Sequence, residues 1–325
     1  MRTSVPQWDS RIAWSTDQTN IQTDQAPAIR GLIALGVTVD ICHHHSICEQ
    51  HASGDEPAVT TSTKPVLAGP RPFAIAHRGS KLMWPENTMM AFSHAHESGL
   101  RWLETDLHVS RDGHVVCIHD DTVDRTTGAI GPVSDSTAAE LSALDAAFHF
   151  EVNGDHPYRG QGHGVPTLED VATEFDDCRL VVDLKQDGLA EAVWGLIRRL
   201  DIEDRVIVGS FSDRRLSEFR QVSDGAVATS AGPRAVARAL AAAAVMTPPL
   251  LADALQVPVN ARGVPIVTAR SVDKFHKAGY QVHVWTVNSS KQMHRLLDLG
   301  VDAIITDRPD TLKAVMIERG VWNGA

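Results

Sequence analysis

From residue 73 onward, short apolar runs alternate with stretches in which apolar residues recur at helical spacing. Residues 73–76 form a first apolar run, which ends at the polar step His77-Arg78-Gly79. Residues 88–98 carry Met89, Phe92 and Ala95 at helical spacing. Asn87 or Thr88 is placed to cap that helix, and Gly99 to stop it. Residues 102–109 and 115–119 read as strands around the turn Arg111-Asp112-Gly113. The rhythm then breaks. Residues 120–166 hold one expected helix (137–147) and a Gly/His/Pro-rich loop (153–166), the composition of an insertion over one end of a core.

The alternation resumes with a helix at 167–174, a strand at 180–184 and a helix at 189–200. A strand follows at 205–210, a helix at 213–222 and a weak strand at 226–230. Pro233 opens a helix to residue 245, and 255–259 and 264–267 are short apolar pieces. A helix at 271–279, a strand at 281–287, a helix at 290–300, a strand at 303–306 and a helix at 309–319 complete the chain. About eight strands alternating with helices over about 250 residues predict an α/β fold, a (β/α)8 TIM barrel. A doubly wound open sheet fits less well. It lacks a Gly-rich dinucleotide loop, and the polar residues sit at many strand ends rather than at one switch point.

The first 70 residues differ. They are rich in Thr, Ser, Gln and Asp without a sustained period, and 52–72 holds four prolines among small residues. This predicts a disordered extension and linker over 1–70, followed by a barrel domain over 71–325. Cys42-His43-His44-His45, Cys48 and His51 are zinc-ligand types, but their spacing fits no standard finger.

Composition narrows the function. The net charge of −11, without a long basic run, argues against nucleic acid as a partner. It leaves room for a small anionic substrate held by a local cationic cluster. The four cysteines form no framework, so a reduced, cytoplasmic setting is expected. No apolar run approaches the roughly 18–20 residues needed to span a bilayer, and residues 1–20 lack the apolar stretch of a signal peptide.

In a barrel, chemistry gathers at the C-terminal ends of the strands. Glu104 and Asp106 are two apart on a strand and therefore point the same way. Two carboxylates facing a barrel mouth are costly unless a cation shares them, and hard oxygen ligands suit Mg²⁺ or Ca²⁺. The plain alternative is a solvent-facing acidic pair, disfavoured by the apolar neighbours Trp102, Leu103 and Leu107. Asp183 and Lys185 repeat the spacing, either as a further metal carboxylate and a phosphate-binding lysine or as a surface ion pair. His77 and His119, each at a strand end, are candidates for acid and base. Arg78 is suited to phosphate through two parallel hydrogen bonds. Phe211, in the step Ser210-Phe211, and Trp285 follow or end later strands.

The ordered set of motifs resembles the glycerophosphodiester phosphodiesterase family. It comprises Ala76-His77-Arg78-Gly79, Pro85-Glu86-Asn87-Thr88, Glu104-Thr105-Asp106, His119-Asp120 and Arg125-Thr126-Thr127-Gly128. It continues through Pro166-Thr167-Leu168-Glu169, Asp183-Leu184-Lys185, Ser210-Phe211, Trp285-Thr286-Val287-Asn288 and Thr306-Asp307-Arg308-Pro309. The resemblance implies a TIM barrel with one divalent cation, Mg²⁺ or Ca²⁺, held at Glu104, Asp106 and Asp183. It implies catalytic histidines at His77 and His119, and phosphate contacts from Arg78 and Lys185. Phe211 and Trp285 would wall the pocket, and Glu86 and Asn87 would orient His77 or the metal ligands. The implied reaction is cleavage of small glycerophosphodiesters to glycerol 3-phosphate and an alcohol. One departure stands out: Asp183 occupies a position where the family commonly has Glu, which sets the carboxylate about 1–1.5 Å further back. A phospholipase D acting on lysophospholipids is the nearest rival, with the insertion as its apolar entrance. A catalytically dead, phosphodiester-binding barrel is the rival from another class.

Overall fold

The computed structural model describes residues 64–241 and 251–324. The Cys/His cluster at 42–51 and the end of the helix expected over 233–245 lie outside the described residues. Eight parallel strands form the barrel. They are β1 (Phe73–His77), β2 (Trp102–Val109), β4 (Arg179–Leu184), β5 (Val206–Gly209), β6 (Ala228–Thr229), β7 (Ala254–Pro258), β10 (Gln281–Trp285) and β11 (Ala303–Thr306). They run in that order around the ring, and β11 pairs back on β1. The gap between β6 and β7 is spanned by the Ser230–Ala254 bridge and by the Ala231 amide donating to the Ala254 carbonyl at 2.8 Å.

Helices pack outside: α1 (Met89–Glu97), α3 (Leu168–Glu174), α4 (Ala190–Leu200), α5 (Asp213–Val222), α6 (Pro233–Ala241), α7 (Ala269–Lys277), α8 (Ser290–Asp298) and α9 (Pro309–Glu318). The period-2 alternation of each strand divides the core. On β2, Leu103 and Leu107 face outward into a cluster with Phe92, Val171 and Leu180. Trp102 faces inward with Phe73, Ile75, Val181, Ile207, Ala228, Ala254 and Ile305, which fill the barrel interior. One layer above that plug, the inward positions turn polar, and this is where the candidate site forms.

Three expectations need correction. The run at 115–119 is not a barrel strand: β3 (Val115–Cys117) pairs antiparallel with β2 in the register Leu107 to Cys117. The Asp112-Gly113 turn makes it a hairpin on the end of β2, and a two-stranded hairpin cannot supply a parallel neighbour. The helix expected over 137–147 is α2 (Ala138–Ala143) and stops at Leu144. There Asp145 captures the amides of Ala147 and Gly160, competing with further helix. The structured barrel also begins before residue 71. Val66 and Leu67 are buried in the interior cluster, and the Gln281 amide donates to the Leu67 carbonyl at 2.8 Å.

The insertion has its own small core of Val116, Ile118, Val123, Val133, Leu141, Ala146 and Val165. A hairpin, β8 (Asn260–Ala261) with β9 (Val264–Pro265), follows β7 where apolar pieces were expected. Capping follows the sequence closely. Thr88 accepts from the Ala91 amide, and Thr167 and Asp170 form a reciprocal cap on α3.

At the opposite end from the candidate site, Asp302 joins Arg71 (2.5 Å), His276 (2.7 Å) and the Val282 amide (2.8 Å). Burial alone would raise its pKa, but the hydrogen bonds from His276 and Val282 outweigh burial and hold it below the ordinary value. A depressed carboxylate stabilises the fold above its unfolded pKa of about 3.9, and that stabilisation is lost as pH falls through the lower folded value. Asp302→Asn is therefore expected to be less stable than wild type at neutral pH, with the difference shrinking at and below pH ~3. Urea titrations at pH 7 and pH 3 read this directly, and a difference that does not change with pH would contradict it.

Candidate active site

The β1–α1 turn is built for close approach. Gly79 has φ +71°, and a Cβ there would lie 2.7 Å from Ala91 Cβ and 2.8 Å from the Ala91 carbonyl carbon, so only glycine lets the turn sit on α1. Its neighbours are strained: Arg78 (φ 52°), Ser80 (φ 98°) and Asn87 (φ 54°) all lie in the left-handed region without being glycine. The strain is held by specific bonds. The Arg78 amide donates to Glu104 Oε2 (2.9 Å), and the Asn87 amide donates to the Arg78 carbonyl (3.0 Å).

His77, at the end of β1, turns Nδ1 toward Asp307 Oδ1 at 2.6 Å. Asp307 is in turn held by the Asn288 side-chain amide (2.9 Å), and Asn288 also bonds Thr306 and the Asp307 backbone. This leaves His77 Nε2 facing inward, 3.9 Å from Glu104 Oε2. Burial would raise Asp307, but the His77 partner outweighs it, and Asp307 stays below its ordinary pKa.

His119 arrives by the hairpin. Because β3 runs back along β2, the Ile118 amide bonds the Asp106 carbonyl (2.9 Å), and the next residue lands beside the β2 carboxylates. Its Nδ1 is 2.5 Å from Asp120 Oδ1. Arg125 grips Asp120 through Nε and reaches Glu86 with both terminal nitrogens (3.0 and 2.7 Å). Burial would raise the Asp120 carboxyl, but His119 and Arg125 outweigh it and set it at about 2. Glu86 also accepts from Arg78 Nη1 (3.0 Å), so it serves the two arginines and has no recorded bond to His77.

Glu104 and Asp106 both point into the barrel, as their spacing requires, while Thr105 between them faces outward and donates to Asn87 Oδ1 (2.8 Å). Parallel pairing places Asp183 beside Asp106. Lys185 Nζ bridges them, 2.8 Å from Asp106 Oδ1 and 2.7 Å from Asp183 Oδ2. Arg78 Nε lies 2.8 Å from Asp106 Oδ2 as an ion contact, and Asn87 Nδ2 donates to the same oxygen (3.2 Å). Burial would raise Asp106, but Arg78 and Lys185 outweigh it and hold it well below its ordinary value. The same contacts keep the buried Arg78 and Lys185 firmly charged. Arg78 thus meets Asp106 through Nε and Glu86 through Nη1, which leaves Nη2 and the second Nη1 hydrogen as its remaining donors.

Glu104 behaves oppositely: burial and the Asp106 charge push its carboxyl up to about 7. The side chains around it do not balance its charge. Asp183 Oδ1 is buried without a hydrogen-bond partner among the described residues. Buried carboxylate oxygens suit a hard divalent cation; Glu104 and Asp183 Oδ1 are the less compensated of the predicted set, whereas the two oxygens of Asp106 are already paired with Lys185 and Arg78. Among the described residues, the one group of three His, Cys, Asp or Glu side chains whose ligand atoms lie within 4.8 Å of one another is His96, Asp177 and Cys178, toward the N-terminal ends of the strands, and its Asp177 already pairs with His96 and Arg101 at 2.8 Å; Glu104, Asp106 and Asp183 are not drawn that close together.

His77, Arg78, Glu104, Asp106, Asp183 and Lys185 line one cavity of about 110 Å³. Its other side is walled by Phe211 and Trp285, which meet edge to face at 5.4 Å, with Pro233, Val236 and Val257 beyond. Glu86 and Asn87 join through the contacts above, and His119, one residue past the Ile118–Asp106 bond, stands beside this lining and not in it. Asp307, Asp120, Arg125 and Asn288 carry orienting bonds that the reading of individual residues did not assign. The barrel rule could have found Asp307, since it follows the last strand directly.

The profile of the Glycerophosphoryl diester phosphodiesterase family matches residues 77–311. The probable glycerophosphodiester phosphodiesterase 2 of Mycobacterium tuberculosis is 38% identical over 259 residues, covering 78% of this chain and 93% of that protein. A glycerophosphodiester phosphodiesterase of Caldanaerobacter subterraneus is 32% identical over 249 residues, covering 73% and 95%. Among solved structures, a putative glycerophosphoryl diester phosphodiesterase of Silicibacter pomeroyi superposes with a TM-score of 0.64 at 25% identity, covering 79% of this chain and 97% of that one. An Oleispira antarctica phosphodiesterase, solved with the product sn-glycerol-3-phosphate, gives a TM-score of 0.61 at 24% identity, covering 76% and 97%.

Proposed function

The chain belongs to the glycerophosphoryl diester phosphodiesterase family and is a phosphodiesterase, and from that premise we propose that it hydrolyses small glycerophosphodiesters to glycerol 3-phosphate and an alcohol by histidine acid–base catalysis with one divalent cation. One observation carries this reading: His77 and His119 are each anchored through Nδ1 by its own aspartate, and His77 lines one cavity with Glu104, Asp106 and Asp183, whose Oδ1 is buried without a partner.

Mg²⁺ or Ca²⁺ at Glu104, Asp106 and Asp183 would supply charge neutralisation for the phosphodiester and its transition state. The protein's own groups do the rest. Lys185 and the free Nη2 of Arg78 add positive charge on the phosphate side. The Asp307 bond fixes the His77 ring so that Nε2 faces the pocket, where it takes the proton from the nucleophile, either water or the glycerol 2-hydroxyl. Asp120 fixes His119 in the same way, and its Nε2 gives a proton to the departing alkoxide. Asp183 fits this scheme because its Oδ2 is positioned by Lys185 while Oδ1 stays free, despite the side chain being shorter than the family's usual Glu.

No residue of the 120–166 insertion lines the cavity, so the apolar entrance that a lysophospholipid would use does not come from there. This supports a small diester. The test is glycerol 3-phosphate release from glycerophosphocholine with Mg²⁺, with Ca²⁺ and with a chelator. Turnover is expected to fall at least about 100-fold on chelation and to recover with one of the two ions. Full activity in chelator would remove the cation from the scheme. No release from glycerophosphocholine, glycerophosphoethanolamine or lysophosphatidylcholine would overturn the reading.

No helix among the described residues is long and apolar enough to cross a membrane.

A further inference from the structure

Across the cavity from the acidic cluster the wall is largely apolar, with Gln256 and Ser230 among its few polar residues. Gln256 on β7 is diametrically opposite β2 in the ring and reaches past β6 toward the end of β5. The space it uses exists because β5 ends in Gly209. A Cβ at Gly209 would lie 3.1 Å from Gln256 Oε1 and 3.4 Å from Ser230 Oγ. Three strands thus combine to set one amide and one hydroxyl together at the inner end of the cavity. Below them, Ile207, Ala228 and Ala254 close the barrel with hydrocarbon.

Gln256 Nε2 is buried and has no hydrogen-bond partner among the described residues. Leaving a buried amide's bond unmade is costly, so an unpaired donor beside a cavity marks a place where a ligand's polar atom completes the set. The needed chemistry follows from the inventory. The amide offers a donor at Nε2 and an acceptor at Oε1, and Ser230 offers either. No charged side chain from β5, β6 or β7 lines this end. A charged head group would find no counter-charge here, whereas a hydroxyl, which both donates and accepts, satisfies the pair.

We infer that Gln256 and Ser230 form a hydroxyl-reading subsite for the polyol part of the substrate, so that the cavity selects the glycerol moiety by its free hydroxyls. The phosphate is held at the Arg78/Lys185 side, and Phe211, Val257 and Trp285 flank the carbon chain between. This deepens the proposed function and rests on it.

Equilibrium binding tests the subsite without relying on turnover. Titration calorimetry compares sn-glycerol 3-phosphate with propyl phosphate, which lacks both hydroxyls, on wild type, Gln256→Met and Ser230→Ala, with the same divalent cation present throughout. Wild type is expected to prefer the glycerol ester by about tenfold or more. Gln256→Met is expected to cut that preference to about twofold or less by weakening glycerol 3-phosphate alone, with Ser230→Ala in between. An undiminished preference in the variants overturns the assignment. So does equal weakening of both ligands, which indicates a merely structural glutamine. If Gln256→Met does not fold by thermal melting, Ser230→Ala decides by the same ratio. Wild type binding both esters equally sinks only this subsite. Wild type binding neither, with no diester hydrolysed, sinks the proposed function as well.

Discussion

Replacing His119 by Ala is expected to lower kcat on glycerophosphocholine by about 10²–10⁴-fold, the usual loss when one proton-transfer group is removed. The fold should tolerate the change. His119 caps a short hairpin strand, and the Arg125–Glu86 and Arg125–Asp120 contacts persist without it. The assignment of His119 as the acid has a sharper consequence. A diester with a nitrophenolate leaving group needs no protonation, so His119→Ala should lose far less on it than on glycerophosphocholine. His77→Ala should lose on both. The reverse pattern would exchange the two roles, and near-wild-type turnover on glycerophosphocholine would remove His119 from the mechanism.

Asp106→Ala is the substitution with the largest expected cost to stability, about 3–5 kcal/mol. The reason is its position between two buried cations. Arg78 Nε and Lys185 Nζ each lie 2.8 Å from a different oxygen of this one carboxylate, and Arg78 is only 2% exposed. Without it, two charges remain in a site that no longer offsets their desolvation. Glu86 and Asp183 hold only one each. Adding Lys185→Met to Asp106→Ala should recover part of the loss, because one orphaned charge is then gone. Urea unfolding of both variants measures this. A loss under about 1 kcal/mol for Asp106→Ala would mean that water or the remaining carboxylates take over its role.

The residues that face one another along a single strand were legible from spacing alone. Glu104 and Asp106 share a face because strand side chains alternate, and the same rule places Asp183 on the inner face of β4. The hairpin at Asp112-Gly113 was legible as a turn, but its consequence was not. That β3 returns antiparallel, and so delivers His119 to the β2 carboxylates, depends on which strand it pairs with. Helix caps such as Thr88 and Thr167 were readable because their bonds span three residues. The early end of α2 was not, because it turns on Asp145 reaching Gly160.

The amino-acid sequence by itself determined the barrel class, the inward faces of the strands and the identity of the acidic and histidine groups. These follow from periodicity and from local order, which act over a few residues. Only the tertiary structure decided which partner each group has. Ring closure sets Asp307 against His77, 230 residues away, and so leaves His77 Nε2 to face the cavity. Closure likewise brings Arg78 onto Asp106 and Glu86. It also brings Gln256 of β7 past β6 into the space left by Gly209. Hydrogen bonds and charge compensation depend on distances of a few ångströms between remote segments, and that information exists only once the eight strands have met.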